Sequence, residues 1–395
     1  MTFDEAMKWL HSRRRFGIRP GLKTTQSLLA LLGNPEKKLR FLHIAGTNGK
    51  GSVCAFLDSI LRTEGKKTGL FTSPHLVDFR ERICVNGRPI PKKATTEGLT
   101  LLRELENSHI HELEPTFFEL TTVLAIWYFL QKNAEVIIWE TGMGGRLDAT
   151  NVVTPLVSIV TSISFDHKKW LGNSLREIAR EKSGIFKPGI PAVSVPQSIE
   201  VAEMLRSRAT IGRVPLYFVR APWGASKIGL HGEHQRWNAA LAVAALRASG
   251  IAISTNSISY GLANTHWPGR FQILSSGLVV DGAHNPGAMY ALITTWKEIF
   301  GDRQACVVFG SLGSKESKKM LEILSAIARE FRLVPVTGLQ SSTRYLAPPC
   351  KIIGYFRSLC AALTPPLQPE GTIILVTGSL FLVGEILAQK GAVSC

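Results

Sequence analysis

From residue 39 onward, apolar positions fall into short blocks separated by stretches with helical spacing. The blocks 39–45, 67–72, 134–140 and 156–163 are the length of strands. Between them, 51–63, 93–107 and 117–132 repeat apolar residues at the spacing of a helix face. Such alternation predicts a mostly parallel sheet with helices on its faces. The texture changes after about residue 220. A helical stretch near 235–249 runs into Trp267-Pro268-Gly269-Arg270, read here as a linker. A second set of strands is expected at 277–281, 304–310, 332–337 and 372–377. The chain is therefore read as α/β with two domains, 1–266 and a smaller 270–395, in keeping with a length that exceeds one ordinary core.

Chemistry enters at Gly46-Thr47-Asn48-Gly49-Lys50-Gly51-Ser52, between the first strand and the first long helix. Glycines let backbone N–H groups turn onto an anion, and the helix N-terminus and Lys50 add positive charge. Ser52 offers a hydroxyl to an accompanying metal. This predicts a nucleotide polyphosphate and a phosphate-loop NTPase-like first domain, followed by a Rossmann-like second one. The loop departs from the common G-x-x-x-x-G-K-[ST] spacing.

The net charge of +16 suits either nucleic acid or small polyanions. No nucleic-acid-binding motif is present, so no nucleic-acid partner is expected. The first sixteen residues lack a signal-peptide core, and Val123–Leu130 is too short to cross a membrane. Six cysteines without metal-like spacing read as reduced thiols in a cytoplasm.

Other polar groups stand just past the strands, where open parallel sheets bind ligands. They are Ser73 and His75, Glu140, and Asp166 with His167. Glu140, followed by a second glycine turn, suits Mg²⁺. Lys182, judged alone, reads as a solvated lysine at a helix end. Asp281-Gly282-Ala283-His284-Asn285-Pro286 places an acid, an imidazole and an amide at the first strand end of the second domain. Arg270 is positioned to reach across an interdomain cleft to a phosphate. Thr116-Phe117-Phe118-Glu119 reads as core by periodicity, or as a platform for a flat heterocycle.

In order along the chain stand AGTNGKGS at 45–52, TSPHL at 72–76, GMGGRLDATN at 142–151, REKSGI at 180–185, GRFQ at 269–272 and DGAHNP at 281–286. Together they resemble the folylpolyglutamate synthase and dihydrofolate synthase family, a branch of the Mur ligases. The resemblance covers nearly the whole chain. It implies an ATP-dependent amide ligase joining L-glutamate to dihydropteroate or to reduced folates through an acyl phosphate. Asn48, Gly49, Lys50, Gly51 and Ser52 then bind ATP, together with Asn238, Arg270 and Asp281. Ser73, Glu140 and His167 correspond to Mg²⁺ ligands, and a monovalent cation stays open beside it. Lys182 matches a lysine carried as a carbamate. Lys50, Lys182 and His284 are the catalytic candidates, His284 orienting the phosphoryl group. Thr116, Phe117, Phe118, Glu119, Leu147, Asp148 and Ala149 match pteroate-holding segments. A monomer is expected.

Two stretches depart from the family pattern. Ser311–Glu316 replaces an Asp-Lys-Asp-like turn, and Ser341–Tyr345 also differs. Two alternatives remain at this point. One is a ligase acting on a peptidoglycan precursor. The other is a GTP-binding switch protein, for which the guanine-reading Asn-Lys-x-Asp is missing.

Overall fold

The computed structural model describes the chain apart from residues 18, 110–113, 276, 313, 337–351, 364–370 and 390–395. The Ser341–Tyr345 tract lies outside the described residues. Fourteen strands are described: β1 Phe41–Ala45, β2 Thr68–Phe71, β3 Ile83–Val85, β4 Arg88–Pro89, β5 Val136–Glu140, β6 Val157–Val160, β7 Ala192–Ser194 and β8 Leu216–Phe218, then β9 Gln272–Ser275, β10 Leu278–Val280, β11 Ala305–Phe309, β12 Ala328–Leu333, β13 Ile352–Tyr355 and β14 Ile373–Thr377.

They form two sheets, ordered β4-β3-β2-β5-β1-β6-β7-β8 and β13-β12-β11-β14-β10-β9. From β2 to β8 every neighbour in the first sheet is parallel, with β3 and β4 added antiparallel at one edge. The second sheet is parallel except for β9. All four blocks expected in the first sheet are strands, as are those near 278, 305 and 373. The block expected at 332–337 is displaced: the strand runs Ala328–Leu333 and shares only 332 and 333 with it, because the alternation of Arg329 with buried Ala328 and Glu330 hides the strand start. The short strands β3, β4, β7, β8, β9 and β13 have no counterpart among the expected blocks, since two to four residues carry too little periodicity to read.

β1 lies between β5 and β6, and the connection out of it leads to β2 on the far side of β5. The strand order reverses here, so a crevice opens at the carboxyl end of β1. The helix Lys50–Thr63 leaves that crevice with eleven of its residues buried, against β1, β2, β5 and the helices Glu233–Ala248 and Thr255–Ala263. The helix Phe117–Gln131 is apolar all round and fills the other face, packing on Phe71, Ile137 and Trp139. Its start is fixed by a capping box. Thr116 Oγ1 accepts from the Glu119 N–H at 3.3 Å, and Glu119 Oε2 accepts from the Thr116 N–H at 2.7 Å. No helix among the described residues is long and apolar enough to cross a membrane.

Candidate active site

The phosphate loop is held open from below. The Thr47 and Asn48 N–H groups both donate to Ser162 O, at 2.8 and 3.2 Å. Those two amides are thus committed, and the anion-facing N–H groups are those from Gly49 onward, where the helix begins. Gly49 is required twice over: its φ is +91°, and a Cβ there would sit 2.6 Å from Asn238 Oδ1. Asn238, expected as an ATP contact, is buried under the loop and donates to Gln235 Oε1 at 3.0 Å. Its amide lies against Gly49 at the base of the turn.

Two lysines meet at one carbonyl. Lys50 Nζ donates to Gly46 O at 3.1 Å and to Thr47 O at 3.3 Å, and Lys182 Nζ donates to the same Gly46 O at 2.8 Å. Lys182 is buried, which corrects the expectation of a solvated helix-end lysine. The helix Leu175–Lys182 is strongly amphipathic, and its last turn aims Lys182 inward. Burial first, then the charge of Lys50, lowers its pKa to about 7. A large share of Lys182 is therefore a neutral amine at neutral pH.

Beside the lysines, Glu140 ends β5 and is buried, with Oε2 accepting from the Ser73 N–H at 2.8 Å. Burial raises its pKa, opposed by Lys50, the Ser73 hydrogen bond and Arg270. His167 stands across the cleft in a left-handed turn at φ 48°. Its ring is half exposed and 3.7 Å from Asp166 Oδ2. Partial desolvation lowers its pKa, and Asp166 raises it.

The second sheet supplies the roof. Asp281 follows β10, and its carboxylate accepts from the Phe271 and Ala283 N–H groups, both at 2.8 Å. Burial raises its pKa, and Arg270 is the first opposing influence. The carboxylate thereby fixes the turn that carries Arg270 into the cleft. His284 Nδ1 lies 2.8 Å from Gly282 O. A carbonyl only accepts, so Nδ1 carries the proton and Nε2 is left as an acceptor. Desolvation lowers the His284 pKa and keeps the ring neutral.

One cleft joins these groups: Lys50, Ser52, Ser73, Glu140, His167 and Lys182 from one sheet, and Arg270, Asp281 and His284 from the other. Sequence reasoning missed its far end, where Phe271, Ala288, Ala291 and Leu292 give an apolar wall with His234 and Thr295 beside it. Apart from Phe271, which stands in the GRFQ motif, these are ordinary helix and core residues with no motif to mark them. A neighbouring pocket runs from Pro74, His167 and His284 to Ser311, Glu316 and Ser379. The atypical Ser311–Glu316 turn therefore borders the site.

None of the seven pteroate candidates lines the cleft. Thr116 and Glu119 are engaged with each other in the capping box, and Asp148 accepts from Met143 N–H at 2.8 Å and Thr150 N–H at 3.0 Å. Their polar atoms hold a helix start and a turn, and the periodicity reading of 116–119 as core agrees with the burial of Thr116 and Glu119. Phe117 differs: His11 stacks on it at 5.7 Å, and the Arg14 and Arg82 guanidiniums lie 5.0 and 5.3 Å from its centre. Phe118 packs on Phe71 and faces Gly142. Leu147 O accepts from the Gly21 N–H, and Ala149 is buried.

Residues 44–209 match the Mur ligase middle domain, and residues 269–380 match the Mur ligase glutamate ligase domain. The chain is 35% identical to the dihydrofolate synthase/folylpolyglutamate synthase of Bacillus subtilis, over 98% of both proteins. It is 32% identical to the folylpolyglutamate synthase of Lacticaseibacillus casei, again over 98% of both. The solved structure of E. coli FolC in complex with DHPP and ADP superposes with a TM-score of 0.88 at 31% identity, covering 98% of each chain. The chain belongs to the dihydrofolate synthase/folylpolyglutamate synthase family of Mur ligases and is an ATP-dependent ligase.

Proposed function

We propose that this enzyme joins L-glutamate to dihydropteroate, to a reduced folate, or to both, in the cleft between the sheets. The observation that carries the reading is the convergence of Lys50, Glu140 and Lys182 with Arg270 and His284 on one cleft. A carboxylate does not acylate an amine at neutral pH, because oxide is not a leaving group. Transfer of the ATP γ-phosphoryl to the carboxylate gives an acyl phosphate and ADP. The amine then adds, and phosphate leaves.

The phosphoryl step needs alignment and charge neutralisation more than covalent participation. N–H groups from Gly49 to Ser52 hold the phosphates, Lys50 swings from its loop carbonyls to them, and Arg270 meets them from above. The apolar end at Phe271, Ala288, Ala291 and Leu292 suits the adenine ring. His284, neutral and with Nε2 as acceptor, takes a proton from the incoming amine. This refines the expectation that it orients the phosphoryl group. The amine substrate enters by the pocket bordered by Ser311 and Ser379.

The donors at the phosphate end fit Mg²⁺: a buried carboxylate at a strand end and serine hydroxyls are hard oxygen ligands. No group of three acidic, His or Cys side chains gathers among the described residues, so phosphate oxygens would complete the shell. Glu140 and Ser73 would hold the ion, with His167 at its edge, and it would supply charge neutralisation on the phosphates. Lys182, as a neutral amine, is in the form that takes up carbon dioxide to give a carbamate. Phe117 and Phe118 offer flat apolar surface for the pterin. The reading takes 1–266 as the body binding ATP phosphates and pteroate, and 270–395 as the body closing over them. It also takes the enzyme to be a cytoplasmic monomer.

Dihydropteroate and tetrahydrofolate, offered separately with glutamate and ATP, test this. ADP release that requires both the pteroate compound and glutamate is expected. Nucleotide hydrolysis indifferent to both substrates would overturn it.

A further inference from the structure

Asn48 and Asn285 lie 237 residues apart and face each other with both ends of their amides. Asn48 Nδ2 donates to Asn285 Oδ1 at 3.1 Å, and Asn285 Nδ2 donates back to Asn48 Oδ1 at 2.9 Å. Such a reciprocal pair uses one donor and one acceptor from each side chain, so turning either amide over breaks both bonds. Asn285 is fully buried, and its Oδ1 also caps the helix Pro286–Phe300 by accepting from the Ala288 N–H at 2.9 Å. Asn48 Nδ2 reaches Ser164 Oγ at 3.3 Å as well. Thr47 ties the same loop down. Its hydroxyl donates to Ser164 O at 3.0 Å and accepts from the Ser164 N–H at 3.1 Å. Gly287 closes the contact, since a Cβ there would lie 3.2 Å from Ser164 Oγ and 3.3 Å from Asn48 Nδ2.

One side chain of the phosphate loop thus joins three parts: the loop itself, the segment leading to Asp166 and His167, and the first turn of a helix in the other body. With its backbone N–H given to Ser162 and its amide given to Asn285 and Ser164, Asn48 has no donor left for a phosphate.

We propose that Asn48 and Asn285 form a positioning pair that sets the six-stranded sheet over the phosphate loop. Asn48 acts on the reaction through Asn285, not as a nucleotide contact. The pair fixes how far Arg270 and His284 stand from Lys50, and this rests on the reading of the cleft as the ATP site. Being uncharged, the clasp can lie beside a triphosphate without attracting or repelling it.

A double-mutant cycle tests this with Asn48→Ala, Asn285→Ser and the pair together. Serine retains the helix cap. Each single change is expected to lower kcat by roughly tenfold, with KM for ATP moved by less than about threefold, and the double variant to be no worse than the worse single. Asn285→Asp, which keeps the cap but sets a carboxylate oxygen against Asn48 Oδ1 and beside the triphosphate, should fall at least as low as Asn285→Ser. Small-angle X-ray scattering of the nucleotide-free protein should show the same increase in radius of gyration in both single variants and the double. Additive losses, a raised ATP KM for Asn48→Ala alone and unchanged scattering would overturn the proposal. The scattering reads domain placement without turnover, so its failure is separable from failure of the ligase reading.

Discussion

On the side of the eight-stranded sheet the charged groups stand at a strand end, Glu140, and at helix ends, Lys50 and Lys182, and two carry perturbed protonation: Glu140 is pushed up by burial and Lys182 is pulled down to about 7. In the six-stranded sheet the strand-end acid, Asp281, accepts from two backbone N–H groups, and Arg270 lines the cleft beside it. On the proposed reading, one half of the cleft is a preformed anion site, and the other is a scaffold that delivers a cation and a neutral imidazole to it. Asp148 shows that the first half also contains a scaffold acid, satisfied by the 142–151 turn. The position of an acid past a strand does not by itself distinguish the two uses. The number of backbone donors aimed at it does.

The largest effect should come from the anion site. Lys50→Ala and Glu140→Ala are each expected to lower kcat by roughly 10³-fold or more with circular dichroism unchanged, because the first removes a cation at the phosphates and the second the carboxylate that would hold Mg²⁺ there. Wild-type-like ADP release by either variant would break the assignment. Arg270→Ala, from the other half, should cost about 10²-fold while leaving nucleotide binding measurable by calorimetry. A loss of nucleotide binding equal to that of Lys50→Ala would erase the distinction between the halves.

The scaffold acids should act on stability. Asp281→Ala and Asp148→Ala each strand two backbone donors in buried surroundings, at about 1–3 kcal/mol per donor. Thermal melts should therefore drop for both, and for Asp281→Ala the remaining activity should fall with Arg270 already substituted no further than with Arg270→Ala alone. The smallest effect concerns acid. His43 and His234, both packed in the first body, have pKa values lowered by burial to about 3 and about 4. Between those values and 6.5 the unfolded chain binds more protons than the folded one, so stability falls as pH drops through that window. The urea midpoint should be lower at pH 5 than at pH 7, and His43→Gln should shrink the difference. An unchanged difference would remove His43 from the account.

The strands that build the crevice were legible because each is a compact apolar block, and the phosphate loop was legible because its glycines, lysine and serine are adjacent. What escaped was non-local. Burial of Lys182 depends on Gly46 O, 136 residues away, and the Asn48–Asn285 pair spans the two bodies. Ala288, Ala291 and Leu292 look like any helix interior until the other sheet is placed opposite them. Thr116 and Glu119 did carry a readable signal, since Thr-x-x-Glu before an apolar run announces a capping box. That spacing favours the helix start over a polar ligand contact.

The central claim is that the two halves together use ATP to activate a carboxylate. It is tested most directly with dihydropteroate labelled with ¹⁸O in its carboxyl group, ATP and glutamate, followed by mass analysis of the released phosphate. Passage through an acyl phosphate predicts one labelled oxygen in each inorganic phosphate and one retained in the amide. Unlabelled phosphate formed alongside amide product would contradict it.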